Sequence, residues 1–162
     1  MKSPLKLLIA LFCIFCCINI SAKEKDEAQL PEYELQGNGT GTQGTYLVNV
    51  TIYHKDRNAS ASFIGRAAVH GVLFRGFTNK DLRQRQKPLA GSPSFEVQHH
   101  DFFQAFFAQG GQAASYTSEV GPRKVVKSGK LYKITATVSV NKDQLRKDLE
   151  DAGVIKKLGS AF

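Results

Sequence analysis

A run of cations around a predicted β-hairpin is the feature of this sequence that points most directly to chemistry. Five basic side chains fall within eleven residues: Arg123, Lys124, Lys127, Lys130 and Lys133. Ser128-Gly129 has the composition of a two-residue hairpin turn, which would place Lys127 opposite Lys130. The same turn would place Lys124 opposite Lys133, and like charges directly opposite one another destabilise a sheet. An anionic partner would relieve that repulsion, so we interpret these five residues as a partner-binding site.

Lysines on a hairpin also have a purely structural role. They prevent the free edge of a sheet from pairing with a second sheet, and this alternative stays open for the five cations. Nucleic acid is not an expected partner, because no aromatic side chains interleave the cations as a platform for stacked bases.

The histidines and the glycine-rich segment lack the spacing that metal binding and nucleotide binding require. His99 and His100 are adjacent, and consecutive residues of a helix point about 100° apart, which keeps both imidazoles from facing one metal ion. Gly39-x-Gly41-x-x-Gly44 has the spacing of a dinucleotide fingerprint, but a strand is predicted where the fingerprint requires a helix. We therefore predict neither a metal site nor a cofactor.

The sequence also contains no motif that indicates a hydrolase. No serine has the Gly-x-Ser-x-Gly spacing of a nucleophile elbow. Residues 35–162 contain nine carboxylates, and four of them lie in or beside the last predicted helix. We predict a non-enzymatic binding protein, with a small hydrolase or a small-ligand-binding protein as the alternative.

The first 22 residues have the three parts of a secretory signal peptide. Lys2 and Lys6 form a basic start, residues 7–18 are apolar, and Ser21-Ala22 ends the segment with small side chains. The apolar run is shorter than the roughly 20 residues that span a bilayer, so we expect cleavage after Ala22. All three cysteines lie in this segment, so the mature chain would have no disulfide and no thiol chemistry. We predict a periplasmic or secreted, surface-associated protein without a membrane span after cleavage.

Charge divides the predicted mature chain into two parts. In residues 23–34 five carboxylates outnumber two lysines, and this composition, with Pro31, predicts a flexible acidic leader of net charge −3. Residues 35–162 carry a net charge of +9 and form one predicted domain. Because a basic body attracts anionic surfaces, the expected partner is an envelope protein or an anionic lipid or polysaccharide surface.

The hairpin needs a scaffold, and the hydrophobic pattern predicts its elements. Residues 45–54 alternate apolar and polar side chains, which indicates a strand. Residues 60–77 and 94–108 have apolar side chains at helical spacing, with a loop between them. Residues 119–127 and 131–140 are predicted as the two strands of the hairpin.

A helix capped by Asn141 closes the predicted order, which is β-α-α-β-β-α. Strands with one apolar face and amphipathic helices predict an α+β fold, a two-layer sandwich of an antiparallel sheet with helices on one face.

Several stretches carry a resemblance to a known family. They are Tyr33-Glu-Leu-Gln-Gly, Gly41-Thr-Gln-Gly-Thr-Tyr, Ala67-Ala-Val-His-Gly-Val-Leu-Phe-Arg-Gly-Phe, Gln86-Lys-Pro-Leu-Ala-Gly and Val138-Ser-Val-Asn-Lys-Asp-Gln-Leu-Arg-Lys-Asp-Leu. On these the chain resembles small exported proteins of Bacteroidales that have no assigned function. The resemblance implies a Gram-negative envelope and carries over no catalytic residues. The element order is also similar, at the level of fold alone, to accessory domains of curli-type and flagellar envelope lipoproteins.

Overall fold

The computed structural model describes residues 27–79, 83–92 and 94–156. The signal peptide predicted at residues 1–22 lies outside these ranges. The described strands are β1 (Tyr33–Gly37), β2 (Thr45–His54), β3 (Phe77–Asn79), β4 (Gln84–Gln86), β5 (Thr117–Glu119), β6 (Lys124–Ser128) and β7 (Leu131–Asn141). The described α-helices are α1 (Ala61–His70), α2 (Ser94–Gln98), α3 (His100–Phe106) and α4 (Lys142–Asp151). None of these helices has the length and apolar character to cross a membrane.

The strands form one antiparallel sheet of five and one small sheet of two. The larger sheet has the order β1-β2-β7-β5, and β6 also pairs with β7. The smaller sheet pairs β3 with β4. Helix α1 packs against the larger sheet through β2, β5 and β7. The predicted α+β class is confirmed, and the antiparallel pairing of the hairpin strands is confirmed with it.

The two faces of the larger sheet differ sharply, because successive side chains of a strand point to opposite sides. On the inner face Val48, Val50 and Ile52 are each 0% exposed, and the inward residues of β7 continue the same core. On the outer face every side chain of β2 from Thr45 to Tyr53 keeps contact with solvent. The core of the domain therefore lies on one side of the sheet.

Helix α1 begins at the Ser60 cap, whose hydroxyl accepts from the backbone N–H of Phe63 at 3.1 Å. It buries a face rich in small residues and continues as one π-helical segment, Gly71–Arg75. Gly76 ends it with a φ of 67°, a conformation that favours glycine. The predicted helix over residues 60–77 is therefore right in its centre and too long at its end, since Phe77 opens β3.

Two other predictions need correction. The loop expected between the first two helices contains β3 and β4, which form a three-pair ladder. The single helix expected over residues 94–108 is two helices, separated at His99, whose φ of −116° and ψ of 35° are not helical. The apolar side chains at helical spacing in this segment belong to the core, since Phe103, Phe106 and Phe107 are all buried.

The acidic leader expected over residues 23–34 is part of the fold from Glu27 onward. Glu27 is only 4% exposed, and its carboxylate accepts from the backbone N–H of Ser60 at 2.8 Å and from the Ser60 hydroxyl. A carboxylate suits this place because the first N–H groups of a helix have no partner within the helix. Tyr33 and Glu34 belong to β1, so the folded part of the chain begins before residue 35.

Candidate functional site

The predicted hairpin exists, but its turn lies one residue later than expected. Ser128 pairs with Leu131, so the two-residue loop is Gly129-Lys130. Gly129 has a φ of 61°, as the first loop position of a type II′ turn requires. The register consequently places Lys127 opposite Tyr132 rather than opposite Lys130. Lys124 lies opposite Thr135 rather than opposite Lys133, so the predicted like-charge pairs are wrong.

Arg123 stabilises the fold instead of joining the lysines. Its guanidinium forms a two-pronged ion pair with Glu119, with Nε–Oε2 at 2.7 Å and Nη2–Oε1 at 2.5 Å. It also donates to the backbone oxygen of Ala59 at 2.5 Å, and the hydrogen bonds to Glu119 raise the pKa of Arg123. A guanidinium with this set of partners has little capacity left for a ligand.

The four lysines of the predicted site do not converge. Lys124 and Lys133 belong to the outer face of the larger sheet, whereas Lys127 points to the opposite side and Lys130 lies in the turn. None of the four forms a salt bridge with a residue that the structure describes. Lys133 lies across from Tyr53, and its Nζ is 5.7 Å from the centre of the Tyr53 ring. The structure thus brings two of the five predicted residues onto one surface.

That surface is the outer sheet face, whose central cross-strand rows consist of polar side chains. One row runs over four strands and contains Glu34, Thr51, Thr135 and Lys124. In it the hydroxyls of Thr51 and Thr135 are 2.9 Å apart. In the next row Thr137 donates to the amide oxygen of Asn49 at 2.8 Å. Hydroxyls and amides of this kind both donate and accept hydrogen bonds.

An open cleft of about 520 Å³ lies where this face meets the small β3–β4 sheet. Its floor includes Asn49, Thr51 and Thr135 from the outer face, and its walls include Glu34, Arg75 and Arg85. Neither arginine was singled out by the sequence, because Arg75 falls near the end of the helix predicted over residues 60–77 and Arg85 falls in the loop expected after it. Arg85 belongs to β4 and pairs with Thr78, and Arg75 precedes the glycine that ends the π-helical segment.

Two glycines permit the close packing that forms the cleft wall, one between the small sheet and β1 and one where the chain enters the small sheet. A Cβ atom at Gly37, the last residue of β1, would lie 2.8 Å from the Cβ of Asn79. A Cβ atom at Gly76 would collide with the backbone oxygen of Gln86 in β4. The cleft therefore depends on glycine at two positions outside the predicted hairpin.

A hydrogen-bonded chain of Tyr33, His70 and Glu96 has the residue types of a catalytic relay. The Tyr33 hydroxyl is 2.6 Å from His70 Nδ1, and His70 Nε2 is 3.0 Å from the Glu96 carboxylate. A carboxylate only accepts, so Nε2 of a neutral His70 donates to Glu96 and Nδ1 accepts from Tyr33. Burial raises the pKa of Tyr33 to about 12 and lowers the pKa of His70. A phenol held in its protonated form is a hydrogen-bond donor rather than a nucleophile, so the chain fastens β1 to α1 and α2.

The adjacent histidines are separated by their packing. His99 lies with its ring 4.4 Å from that of Phe95, measured between centres, whereas the exposed His100 has Nδ1 3.4 Å from an Asp101 carboxylate oxygen. Over the described ranges no three side chains of histidine, cysteine, aspartate or glutamate are grouped as metal ligands.

Comparisons of this chain with protein-family models, with curated proteins and with solved structures find no match. The resemblance to exported Bacteroidales proteins stays a prediction.

Proposed function

We propose that this protein is an exported, non-enzymatic binding domain that holds an acidic polysaccharide of the cell envelope on the outer face of its five-stranded sheet. The observation that carries the proposal is the composition of that face. Arg75 and Arg85 flank it beside β1, and Lys124 and Lys133 flank it beside β6. Hydroxyl and amide side chains occupy the strands between them.

Charge complementarity favours a polyanion as the occupant. Glu34 is the one carboxylate among the described residues that line the cleft, and the opposite margin of the face carries lysines without described acidic partners. Cations at two margins of one surface suit a chain whose charges repeat along its length. A positive surface also raises the local concentration of an anionic chain and speeds its association.

The polar floor favours a saccharide over a lipid bilayer. A protein that binds a membrane surface inserts apolar side chains among the lipids. The large exposed apolar residues of the described outer face are Tyr53 and Val126 near the hairpin, 40% and 50% exposed, and Val120 after β5, 46% exposed. They are separated by polar side chains and form no continuous apolar patch in the central rows. Threonine hydroxyls and asparagine amides instead match the hydroxyls of a sugar chain, which also donate and accept.

The absence of a second carboxylate in the described cleft lining favours binding without hydrolysis. Glycoside hydrolysis ordinarily uses two carboxyl groups on either side of the scissile bond. Glu34 has no such companion among the described lining residues. The alternative of a small-ligand-binding protein is favoured by the cleft itself and is compatible with a polysaccharide that inserts one of its units there.

The proposal is tested by measuring binding of the purified protein to alginate, a polyuronate, with neutral dextran and phosphatidylglycerol vesicles as comparison probes. The double variant Lys124→Gln/Lys133→Gln removes two charges from the outer face. The control Lys127→Gln/Lys130→Gln removes two charges from the same hairpin but off that face. The outer-face variant loses two exposed cations that pair with the polyanion, so its affinity for alginate should fall about fivefold. The control variant should bind alginate as the wild type does.

Binding should also weaken as salt rises, because exposed charges are screened over about 8 Å at physiological ionic strength. Selective loss in the outer-face variant, with no binding to dextran, supports the proposal. Equal loss in both variants would show attraction by overall charge and would overturn the outer face as the binding surface. Binding to vesicles in preference to alginate, or to neither, would overturn the polysaccharide as partner.

A further inference from the structure

We infer that the cleft between β1 and the β3–β4 sheet is a subsite for a single uronate unit, whose carboxylate is held by Arg75 and Arg85. This inference rests on the proposed function and makes it more specific. The cleft volume of about 520 Å³ lies within the range of small-molecule sites, about 300 to 1,000 Å³. Guanidinium groups bind carboxylates through two parallel hydrogen bonds, which gives such a pair both strength and a fixed orientation.

Arg75 is held in place before any ligand arrives. Its guanidinium carbon lies 4.4 Å from the centre of the Tyr33 ring, and Nη1 is 3.5 Å from the backbone oxygen of Tyr33. Tyr33 is itself fixed by its hydroxyl, 2.6 Å from His70 Nδ1. A side chain that is already ordered loses less conformational entropy on binding, so this stacking favours recognition by Arg75.

Arg85 is positioned from the other side by the ladder of the small sheet. It pairs with Thr78, and the close approach of β3 to Gly37 fixes that ladder against the end of β1. Arg85 forms no salt bridge with any residue in the described ranges. Its guanidinium therefore remains available to an anion in the cleft.

The remaining lining groups distinguish a hydroxylated monoanion from other anions. The Thr51 and Thr135 hydroxyls are bonded to each other at 2.9 Å, and each still has capacity for a further hydrogen bond. Glu34 can accept from a sugar hydroxyl, but its negative charge opposes a doubly charged phosphate in the same cleft. Carboxylate plus hydroxyls is the combination that fits, and a uronate unit of an acidic polysaccharide carries both.

The test is a titration of the isotope-labelled protein with galacturonate and glucuronate, followed by NMR chemical shifts. Glucose tests the need for the carboxylate, and glucose 6-phosphate tests the preference for a monoanion. The variants are Arg75→Gln, Arg75→Lys and Arg85→Gln. Arg83→Gln is the matched control, because Arg83 is exposed, close in sequence and not part of the cleft lining.

Loss of a charged hydrogen-bonding partner should weaken uronate binding about tenfold or more in each cleft variant and leave it unchanged in Arg83→Gln. Arg75→Lys should not restore it, since lysine lacks the planar fork. Arg85→Gln removes no packing contact that the structure describes, so it keeps the test valid if Arg75→Gln lowers thermal stability. Retained uronate affinity in Arg85→Gln, or equal loss in Arg83→Gln, would overturn the subsite.

The two proposals fail in different ways. Alginate binding that depends on Lys124 and Lys133, with no shift on adding either uronate, would overturn the cleft subsite and leave the outer face as the binding surface. Stronger binding of glucose 6-phosphate than of galacturonate would overturn the carboxylate as the recognised group. Absence of binding to both alginate and uronates would overturn the proposed function itself.

Discussion

The inner and outer faces of one sheet show the two uses that a protein makes of polar side chains. On the inner side Arg66 is 1% exposed and donates to the backbone oxygens of Phe107, at 2.9 Å, and Glu27. On the outer side the polar residues are partly exposed and pair mostly with one another. Polar groups that find all their hydrogen-bond partners within the chain stabilise the fold. Polar groups that can still form further hydrogen bonds are where a ligand can bind.

Some buried polar atoms on the inner side of the sheet lack a hydrogen-bond partner. Among the described buried side-chain atoms, His54 Nε2 and Arg66 Nε have no hydrogen-bond partner. Burial also lowers the pKa of Arg66, and the nearby Glu27 partly offsets that effect. This region therefore depends on the few partners it has, and changes there should cost more stability than changes on the outer face.

Truncation of a core phenylalanine should have the largest effect. Phe103 is 2% exposed and contacts Phe74 edge-on, with ring centres 4.9 Å apart, so Phe103→Ala should lower the free energy of unfolding by about 3–5 kcal/mol. Tyr53→Ala, on the outer face, should cost far less because the ring is 40% exposed. Urea unfolding of both variants checks this. Similar costs for the two changes would contradict the contrast between the faces.

Neutralising the buried carboxylate of the N-terminal segment should have an intermediate effect. Glu27→Gln replaces an acceptor of two hydrogen bonds from Ser60 by a group that can satisfy them only in part, and it removes a charge near Arg66. We expect a loss of about 1–3 kcal/mol in chemical unfolding. The exposed Glu32 provides the control, since Glu32→Gln should be neutral. If Glu27→Gln left the free energy of unfolding unchanged, the result would support the flexible leader that the sequence predicted.

Lowering the pH should have the smallest effect on folding stability, and protonation of His70 should account for part of that effect. Burial has the largest influence on the pKa of His70 and lowers it. The facing Glu96 raises this pKa and Arg75 lowers it, and the net result is a lowered value. The unfolded chain therefore binds this proton more tightly than the folded chain does. His70 therefore contributes full stability above its unfolded pKa of about 6.5, and that contribution is lost as the pH falls below it.

Unfolding midpoints of the wild type and of His70→Gln, compared from pH 8 to pH 5, measure this contribution. The variant should show a flatter pH dependence, and His100→Gln should follow the wild type because His100 is exposed. Parallel curves for wild type and His70→Gln would show that the buried histidine is not the titrating group.

The sequence predicted the elements that have a strong hydrophobic period. The alternation of β2 and β7 and the helical spacing of α1 are present in the structure because one face of each is fully buried. Strand β1 was missed because its carboxylates suggested a solvated leader, whereas Tyr33 and Leu35 pack against the core. Strands β3 and β4 have three residues each, too few for any period to be visible.

The candidate site was less predictable than the fold. The hairpin was expected, and so was a shared face for Lys124 and Lys133, but moving the turn by one residue changes every cross-strand pair and makes these two lysines diagonal rather than direct neighbours. The cleft joins Arg75 and Arg85 to residues of β1, β2 and β7, which are distant in the chain. Only the strand order brings these residues together, and strand order follows from long-range packing rather than from local pattern.

The pairing of β2 with β7 also sets the time course of folding. Thr45 lies opposite Asn141, so most of the described chain separates the partners at that end of the sheet. Closing so long a loop costs chain entropy before the pairing returns any stabilisation, which makes such pairings slow. The β1–β2 and β6–β7 hairpins are local and form on a faster timescale. Until the centre of the sheet closes, Val48, Val50 and Ile52 remain uncovered, and during that interval the chain is most prone to aggregate.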